Sequence, residues 1–365
     1  MKVVFDSQIF SFQKYGGISR YFSEIKERLS QFQGVNLSVI APFFINEYLR
    51  GKEANVIGHY VPLSSPASCL LVKAINNLVS PYLIARSDPD IVHETYYAKT
   101  GFTSNRSKTI ITVFDMIHEK LDHYFKPLDK TSEVKRAAIH RSNHIICISE
   151  NTKRDLINIF NVDPDKVSVT YLASSLPNPP NTERFVDVPY ILYVGQRGGY
   201  KNFSNLLKAY SSSRRLVSDF KLVCFGGRPF TKEEMAQQTV MKLPADRLVR
   251  LTGDDDVLAG LYKHASVFVY PSLYEGFGIP PLEAMGCGCP VACSNTSSLP
   301  EVVGDAARLF DPNSIEDIRT AIEEVVYHPE NADRLVRAGT ERVKMFSWSK
   351  CAKETFAIYR RVLSE

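Results

Sequence analysis

YPSLYEGFGIPPLEAMGCGCPV, residues 270–291, decides the fold. An apolar run ends near Tyr270, a short loop carries Glu275, Gly276, Phe277 and Gly278, and Pro280 suits the first turn of a helix. The stretch therefore predicts a strand, a glycine loop and a helix. Gly276 and Gly278 let the backbone approach a ligand closely, and amides at a helix start suit a phosphate. Glu275 and Glu283 flank the loop and can accept hydrogen bonds from two sets of hydroxyls, one on a sugar and one on a ribose. A helix-dipole role would account for Glu283 alone and would leave Glu275 in a glycine turn without a reason.

The same rhythm of short apolar run and helical pattern extends in both directions, which is the signature of parallel α/β units. In the first half it predicts strands over 2–5, 36–41, 90–93, 109–114, 144–149 and 167–171. Ile18, Phe22, Ile25, Leu29 and Phe32 mark a helix after the first strand, and Ser149 can cap the run NTKRDLINIF. Residues 174–189, rich in Pro, Ser and Asn, read as an interdomain linker. Beyond it, strands are predicted over 190–194, 221–225, 248–252, 266–270, 290–293 and 308–310, and two helices separated near Phe346–Ser347 close the chain. A chain of 365 residues exceeds the roughly 250–300 that one core supports. The fold class expected is α/β, with two Rossmann-like, doubly wound parallel-sheet domains over 1–180 and 181–345 and a C-terminal helix over 346–365. The obvious ligand site of such a pair is the crevice at the carboxyl ends of the strands.

Composition narrows the functions. A formal net charge of +4 is too small to argue for nucleic acid. Residues 1–185 hold 22 Lys and Arg against 18 Asp and Glu, while the remainder balances. A mildly basic half suits an anionic membrane or a phosphorylated acceptor, but ordinary surface scatter is the preferred explanation. The seven cysteines form no CxxC and sit mostly in apolar runs, as reduced thiols of a cytoplasmic protein do. Cys287 and Cys289 lack the further ligands a metal site needs. Asp6 interrupts any signal-peptide core, and the apolar stretches read as far short of the ~20 residues of a membrane span, so membrane contact is expected to be peripheral.

Two further sites suit anions. Arg197 and Lys201 flank GGY just after a predicted strand, so both can reach one anion, and Gly16–Gly17 opens the first long helix. Asp254–Asp255–Asp256 contains a DxD pattern, but it follows a strand and opens a helix, where aspartates act as caps. A dehydrogenase fingerprint G-x-G-x-x-G is absent from the sequence.

The block at 270–291, with Glu275-x7-Glu283 inside it, resembles the signature of family 4 glycosyltransferases, a retaining, mannosyltransferase-like group with the GT-B fold. The resemblance runs the length of the chain, through YGGISRY, VGQRGGYKN, LTGDDDVLAGLYKHASVFVYPS, SSLPEVVGDAARLFDP and FSWSKCAKETFAIYRR. It implies that Glu275 holds hydroxyls of the transferred sugar and that the backbone of Gly276, Phe277, Gly278 and Ile279 meets the donor's phosphates and sugar. Glu283 would take the ribose, Arg197 and Lys201 the diphosphate, the segment ending at Thr252 the nucleobase, and Gly17 of the Gly16–Gly17 pair the phosphate from the opposite domain. Family members often carry a histidine at the end of strand TIITVF. Here the position holds Phe114, and Asp115 and His118 in the following loop are the candidates for contact with the acceptor or a donor hydroxyl. His93 and Glu94 form a second acceptor candidate. The resemblance implies a nucleotide-sugar donor, with GDP-mannose the first guess, and no required metal or other cofactor. It further implies a saccharide or lipid-linked acceptor in O-antigen or lipopolysaccharide synthesis at the cytoplasmic face of the inner membrane. A GT-B-fold epimerase or phosphorylase, and a non-catalytic sugar-nucleotide-binding protein, share the expected architecture.

Overall fold

The computed structural model describes residues 1–52, 54–63, 65–101, 106–176 and 183–365. The Val- and Ile-rich runs become parallel strands, because covering both faces with helices calls for continuously apolar strands rather than alternating ones. The chain forms two units, Met1–Leu172 with Trp348–Glu365, and Ala173–Ser347. Of the expected linker at 174–189, residues 177–182 lie outside the described residues, as does the expected domain boundary between 180 and 181.

The first unit contains β1 (Lys2–Phe5), α1 (Gln8–Phe12), α2 (Gly17–Leu29), β2 (Asn36–Phe44), β3 (Val56–Tyr60), α3 (Pro66–Ser87), β4 (Ile91–Glu94), β5 (Lys108–Val113), α4 (Ile117–Lys120), α5 (Thr131–Arg141), β6 (His144–Cys147), α6 (Glu150–Phe160) and β7 (Val167–Val169). Its seven strands are all parallel, in the order β3-β2-β1-β4-β5-β6-β7. Strand order reverses between β1 and β4, so the carboxyl ends of these two strands form the switch point where α/β folds bind ligands.

The second unit contains β8 (Tyr190–Val194), α7 (Phe203–Ser212), α8 (Arg214–Asp219), β9 (Lys221–Phe225), α9 (Lys232–Val240), β10 (Leu248–Leu251), α10 (Asp255–His264), β11 (Val267–Tyr270), α11 (Ile279–Gly286), β12 (Val291–Ser294), α12 (Leu299–Val303), β13 (Ala307–Phe310), α13 (Ile315–Val326) and α14 (Pro329–Val343). Its sheet is parallel, in the order β10-β9-β8-β11-β12-β13, with the switch between β8 and β11. Ile191, Tyr193, Leu206, Leu222, Val267 and Ile322 belong to its buried core. The closing helix, α15 (Trp348–Ser364), packs within the first unit, where Phe356 stacks on Phe32 with ring centroids 4.9 Å apart.

The predicted strands form to within a few residues. Caps fall where the side chains dictate: the Ser149 hydroxyl accepts from the Thr152 amide, and Asp254 accepts from the Val257 amide at 3.1 Å, the capping role read for the aspartate run. Two elements were not anticipated between residues 41 and 90. Strand β3 alternates half-buried and exposed residues at the sheet edge, and Gly58 lies where a Cβ would stand 1.7 Å from the Ala41 carbonyl oxygen of β2. Helix α3 corrects the reading of short apolar stretches. Among the described residues, Ser68–Ser87 is one helix of 20 residues long and apolar enough, by length and composition, to cross a membrane. It was missed because Asn76, Asn77 and Pro81 interrupt the pattern.

Candidate active site

In the second unit the decisive stretch forms β11, a loop and α11, as its residues dictate. Gly278 is the N-cap of α11 with φ +129°, a conformation side-chain-bearing residues avoid, and a Cβ there would stand 2.9 Å from Leu299 Cδ2. The loop is fastened from the segment before α12. Ser298 Oγ donates to the carbonyls of Glu275, at 2.8 Å, and Phe277, at 2.6 Å, and the Glu275 amide donates to Ser297 Oγ at 2.9 Å. Thr296 Oγ1 donates to the Leu273 carbonyl at 3.0 Å, and the Leu273 amide donates to Tyr200 O. These clips hold Glu275 in place independently of its own side chain.

The loop after β8 delivers Lys201 to that carboxylate. Lys201 Nζ donates to Glu275 Oε1 at 2.7 Å and to the Tyr270 hydroxyl at 3.1 Å. Burial works to lower the Lys201 pKa, but the Glu275 carboxylate, with Tyr270 and Tyr200, outweighs it and holds the ammonium well above its usual range. Lys201 is therefore a fixed cation. Asn202 follows in a left-handed turn, and its side-chain amide donates to the Pro271 and Pro312 carbonyls, tying the two loops together.

Arg197 is buried but not equivalent to Lys201. Its Nε donates to Glu234 Oε1 at 2.9 Å, and its guanidinium lies over the Phe230 ring with 4.5 Å to the centroid. Its Nη1 is buried without a hydrogen-bond partner among the described residues, a polar group of the kind a ligand satisfies. Glu234 was missed in the sequence. The signal was present, because Thr231 and Glu234 form a capping box at the start of α9. Glu283 stands within α11, where its carboxylate accepts from the Tyr262 hydroxyl at 3.3 Å. Pro280 and Pro281 have no N–H, so the first turn of α11 offers an anion fewer amides than a helix start usually does. Thr252 follows β10 and is exposed.

In the first unit, Gly16 is the N-cap of α2, and a Cβ on it would collide with the Gln13 side chain at 2.3 Å, whereas Gly17 has open space at its Cα. Asp115 lies in the loop after β5, but His118, expected in the same loop, stands in the short helix α4. Asp115 Oδ1 accepts from the Ile117 amide, and the fully buried Lys135 reaches the Asp115 carbonyl at 3.0 Å and Glu119 at 2.8 Å. His118 stacks on Phe125 at 3.9 Å, and its Nδ1 is buried without a partner among the described residues. Phe114, where a histidine was weighed, packs edge-on against Tyr21.

His93 and Glu94 correct the second acceptor candidate. His93 is completely buried, with Nδ1 2.6 Å from the Tyr359 hydroxyl and Nε2 2.8 Å from Thr112 Oγ1. Burial pushes its pKa down to about 3, so it is neutral near pH 7. Glu94 is also completely buried and is clamped bidentately by Arg141. Both residues hold the first unit together. Cys287 and Cys289 are buried free thiols, and among the described residues no group of three His, Cys, Asp or Glu side chains is placed to hold a metal.

Residues 15–176 match the family described as Glycosyltransferase Family 4, and residues 177–342 match Glycosyl transferases group 1. The chain is 28% identical to the O-antigen chain mannosyltransferase B of Escherichia coli, over 99% of this chain and all of the relative. It is 26% identical to the alpha-maltose-1-phosphate synthase of Mycolicibacterium smegmatis, over 99% and 100% of the two chains. Among solved structures, the sucrose-phosphate synthase of Thermosynechococcus elongatus superposes with a TM-score of 0.76 over 100% of this chain and 99% of that one, at 18% identity.

Proposed function

The chain belongs to the family 4, group 1 glycosyltransferases, and on that premise we propose that it is a retaining enzyme that moves a hexose from a nucleotide sugar to a saccharide or lipid-linked saccharide acceptor. The observation that carries the site is the Lys201–Glu275 contact at 2.7 Å, held in place by the Ser297–Ser298 clips. A ligand that engages both groups must offer an anion to the ammonium and hydroxyl donors to the carboxylate. A sugar diphosphate offers both, a few bonds apart.

In this reading Glu275 receives hydroxyls of the sugar, while Lys201 and the unpartnered Nη1 of Arg197 meet the phosphates. The Gly276–Ile279 amides join them, Glu283 takes the ribose, and the nucleobase lies toward Thr252. Asp115 and His118 serve the acceptor. As the bond between the anomeric carbon and the donor oxygen breaks, negative charge grows on the diphosphate. Fixed cations and amides aimed at that charge lower the barrier without reorganising. The leaving phosphate takes the acceptor's proton as the acceptor oxygen bonds to the same face of the sugar.

Mannose is the favoured hexose, supported by the E. coli relative, and GDP-mannose the favoured donor; the maltose-1-phosphate synthase relative makes a glucosyl donor the comparison to run. The product is expected to enter a surface polysaccharide. Incubation with GDP-mannose or UDP-glucose and candidate acceptors, followed by anomeric NMR, tests the reading. A new α-linked product from an α-linked donor supports it. Isomerised free sugar nucleotide, phosphate-dependent cleavage, or binding without turnover would replace it with an epimerase, a phosphorylase or a binding protein.

A further inference from the structure

Phe277 is the one residue with a side chain between Gly276 and Gly278. Two glycines leave such a loop free to drift, so its shape depends on what grips Phe277. Part of the grip comes from the end of α14. That helix packs against α11, and Gly339 lets the two approach, since a Cβ there would stand 3.0 Å from Met285 Cγ. Past Val343 the chain turns, with the Met345 amide donating to the Arg342 carbonyl at 3.1 Å and the Phe346 amide to the Val343 carbonyl at 3.0 Å. The turn sets the Arg342 guanidinium over the Phe346 ring, 5.3 Å from its centroid. The same ring meets the loop: Phe277 and Phe346 are both buried and pack edge to face, with centroids 5.7 Å apart and planes at 80°.

Arg342 reaches the loop by a second route. Its Nε donates to the Val302 carbonyl at 2.8 Å, and its Nη2 donates to the Glu301 carbonyl. Both carbonyls lie toward the end of α12, which at five residues is too short to satisfy them internally. Ser298, just before α12, holds the Glu275 and Phe277 carbonyls. Arg342 thus pins one end of α12 while the other end pins the loop. The ring of Phe277 is held through Phe346 and its carbonyl through α12, and Arg342 stands behind both. Packing for stability alone would not require these two routes to converge on one residue of the loop.

We propose that Arg342 and Phe346 are positioning residues for the nucleotide-sugar donor, which hold the Glu275–Gly278 loop in its binding shape without touching the ligand. The proposal rests on the reading of this loop as the donor site. A loop already held in its bound shape gives up less conformational freedom when the donor arrives.

Calorimetry of the full chain with GDP-mannose and with UDP-glucose, together with amide hydrogen exchange of residues 274–279 in the absence of ligand, tests it. Arg342→Ala and Phe346→Ala are each expected to speed exchange in the loop and to raise the donor Kd about tenfold, below the ~10²-fold that a full 1 Å misplacement can cost. Loss of folded protein alone would lower the binding stoichiometry and leave Kd in place. Arg342→Lys, which keeps a cation for the ring, and Phe346→Tyr, which keeps an aromatic partner for Phe277, should recover part of the affinity. They also keep the test open should the alanine variants fail to fold. Unchanged donor Kd in folded variants, beside a wild type that binds a nucleotide sugar, would overturn the proposal alone. A wild type that binds neither nucleotide sugar would overturn the donor reading and the proposal with it.

Discussion

Lys201 Nζ stands 2.7 Å from Glu275 Oε1, and each partner is positioned by a different loop of the second unit. Neither depends on the other to stay in place, since Tyr270 also holds the ammonium and Ser297 holds the Glu275 backbone. The pair therefore forms a site of two opposite charges awaiting a ligand with complementary parts.

Removing either charge should cost transfer, not folding. Lys201→Ala and Glu275→Ala are each expected to lower kcat/KM by about 10²–10³-fold, the scale of losing one preorganised group at a developing charge. The double variant should lose less than the product of the two, because the residues act on one ligand. Initial rates of nucleoside diphosphate release measure all three, and full activity of both single variants would refute the site assignment.

Glu234 aims Arg197. Glu234→Ala leaves a largely buried guanidinium without its carboxylate and breaks the capping box of α9, so a stability loss of about 3 kcal/mol is expected. Glu234→Gln, which keeps an acceptor for the guanidinium, should recover part of that loss. In both variants the donor KM should rise more than kcat falls if Arg197 mainly binds the donor. Chemical denaturation and donor saturation curves read the two effects separately.

The serine clips and Gly278 shape the loop without touching the chemistry. Ser298→Ala removes the hydroxyl whose one proton the Glu275 and Phe277 carbonyls share and should cost about 1–3 kcal/mol. Gly278→Ala places a Cβ 2.9 Å from Leu299 in a backbone conformation that alanine resists, which adds roughly 1–3 kcal/mol of strain. Both should weaken donor binding, measured by calorimetry with a nucleotide sugar.

His93 makes the first unit acid-sensitive. Burial lowers its pKa to about 3, whereas an unfolded histidine titrates near 6.5. The unfolded chain thus binds a proton that the folded chain refuses. The stability this group contributes is complete above about pH 6.5 and is lost as pH falls toward 3, at up to ~1.4 kcal/mol per pH unit. His144, whose pKa burial and then the neighbouring Arg361 lower to about 4, adds in the same direction. His93→Gln should show a shallower decline of stability between pH 6 and 4 than the wild type, by denaturant titration at each pH. Matching slopes would show that His93 is not the sensing group.

The architecture was legible because parallel strands buried on both faces are written as unbroken apolar runs, as in the β8 and β11 segments, and because caps such as Ser149 and Asp254 act through nearest neighbours. The 270–291 block gave the glycine loop and Glu275 for the same reason: the needed residues are adjacent in sequence. What stayed hidden depends on distant partners. A histidine before a strand end looks like an acceptor ligand until Tyr359, 266 residues away, accounts for its ring nitrogen. Glu94 is likewise decided by Arg141, and Lys201 shows its carboxylate partner only once two loops meet. Helix α3 was obscured because its apolar residues face outward, so its period does not mark a core.

A crystal structure with an intact, slowly reacting sugar nucleotide tests the central claim most directly. Phosphate oxygens are expected within about 3 Å of Lys201 Nζ and Arg197 Nη1, with sugar hydroxyls on the Glu275 carboxylate. Phosphates bound elsewhere, with the Lys201–Glu275 contact intact and unvisited, would contradict it.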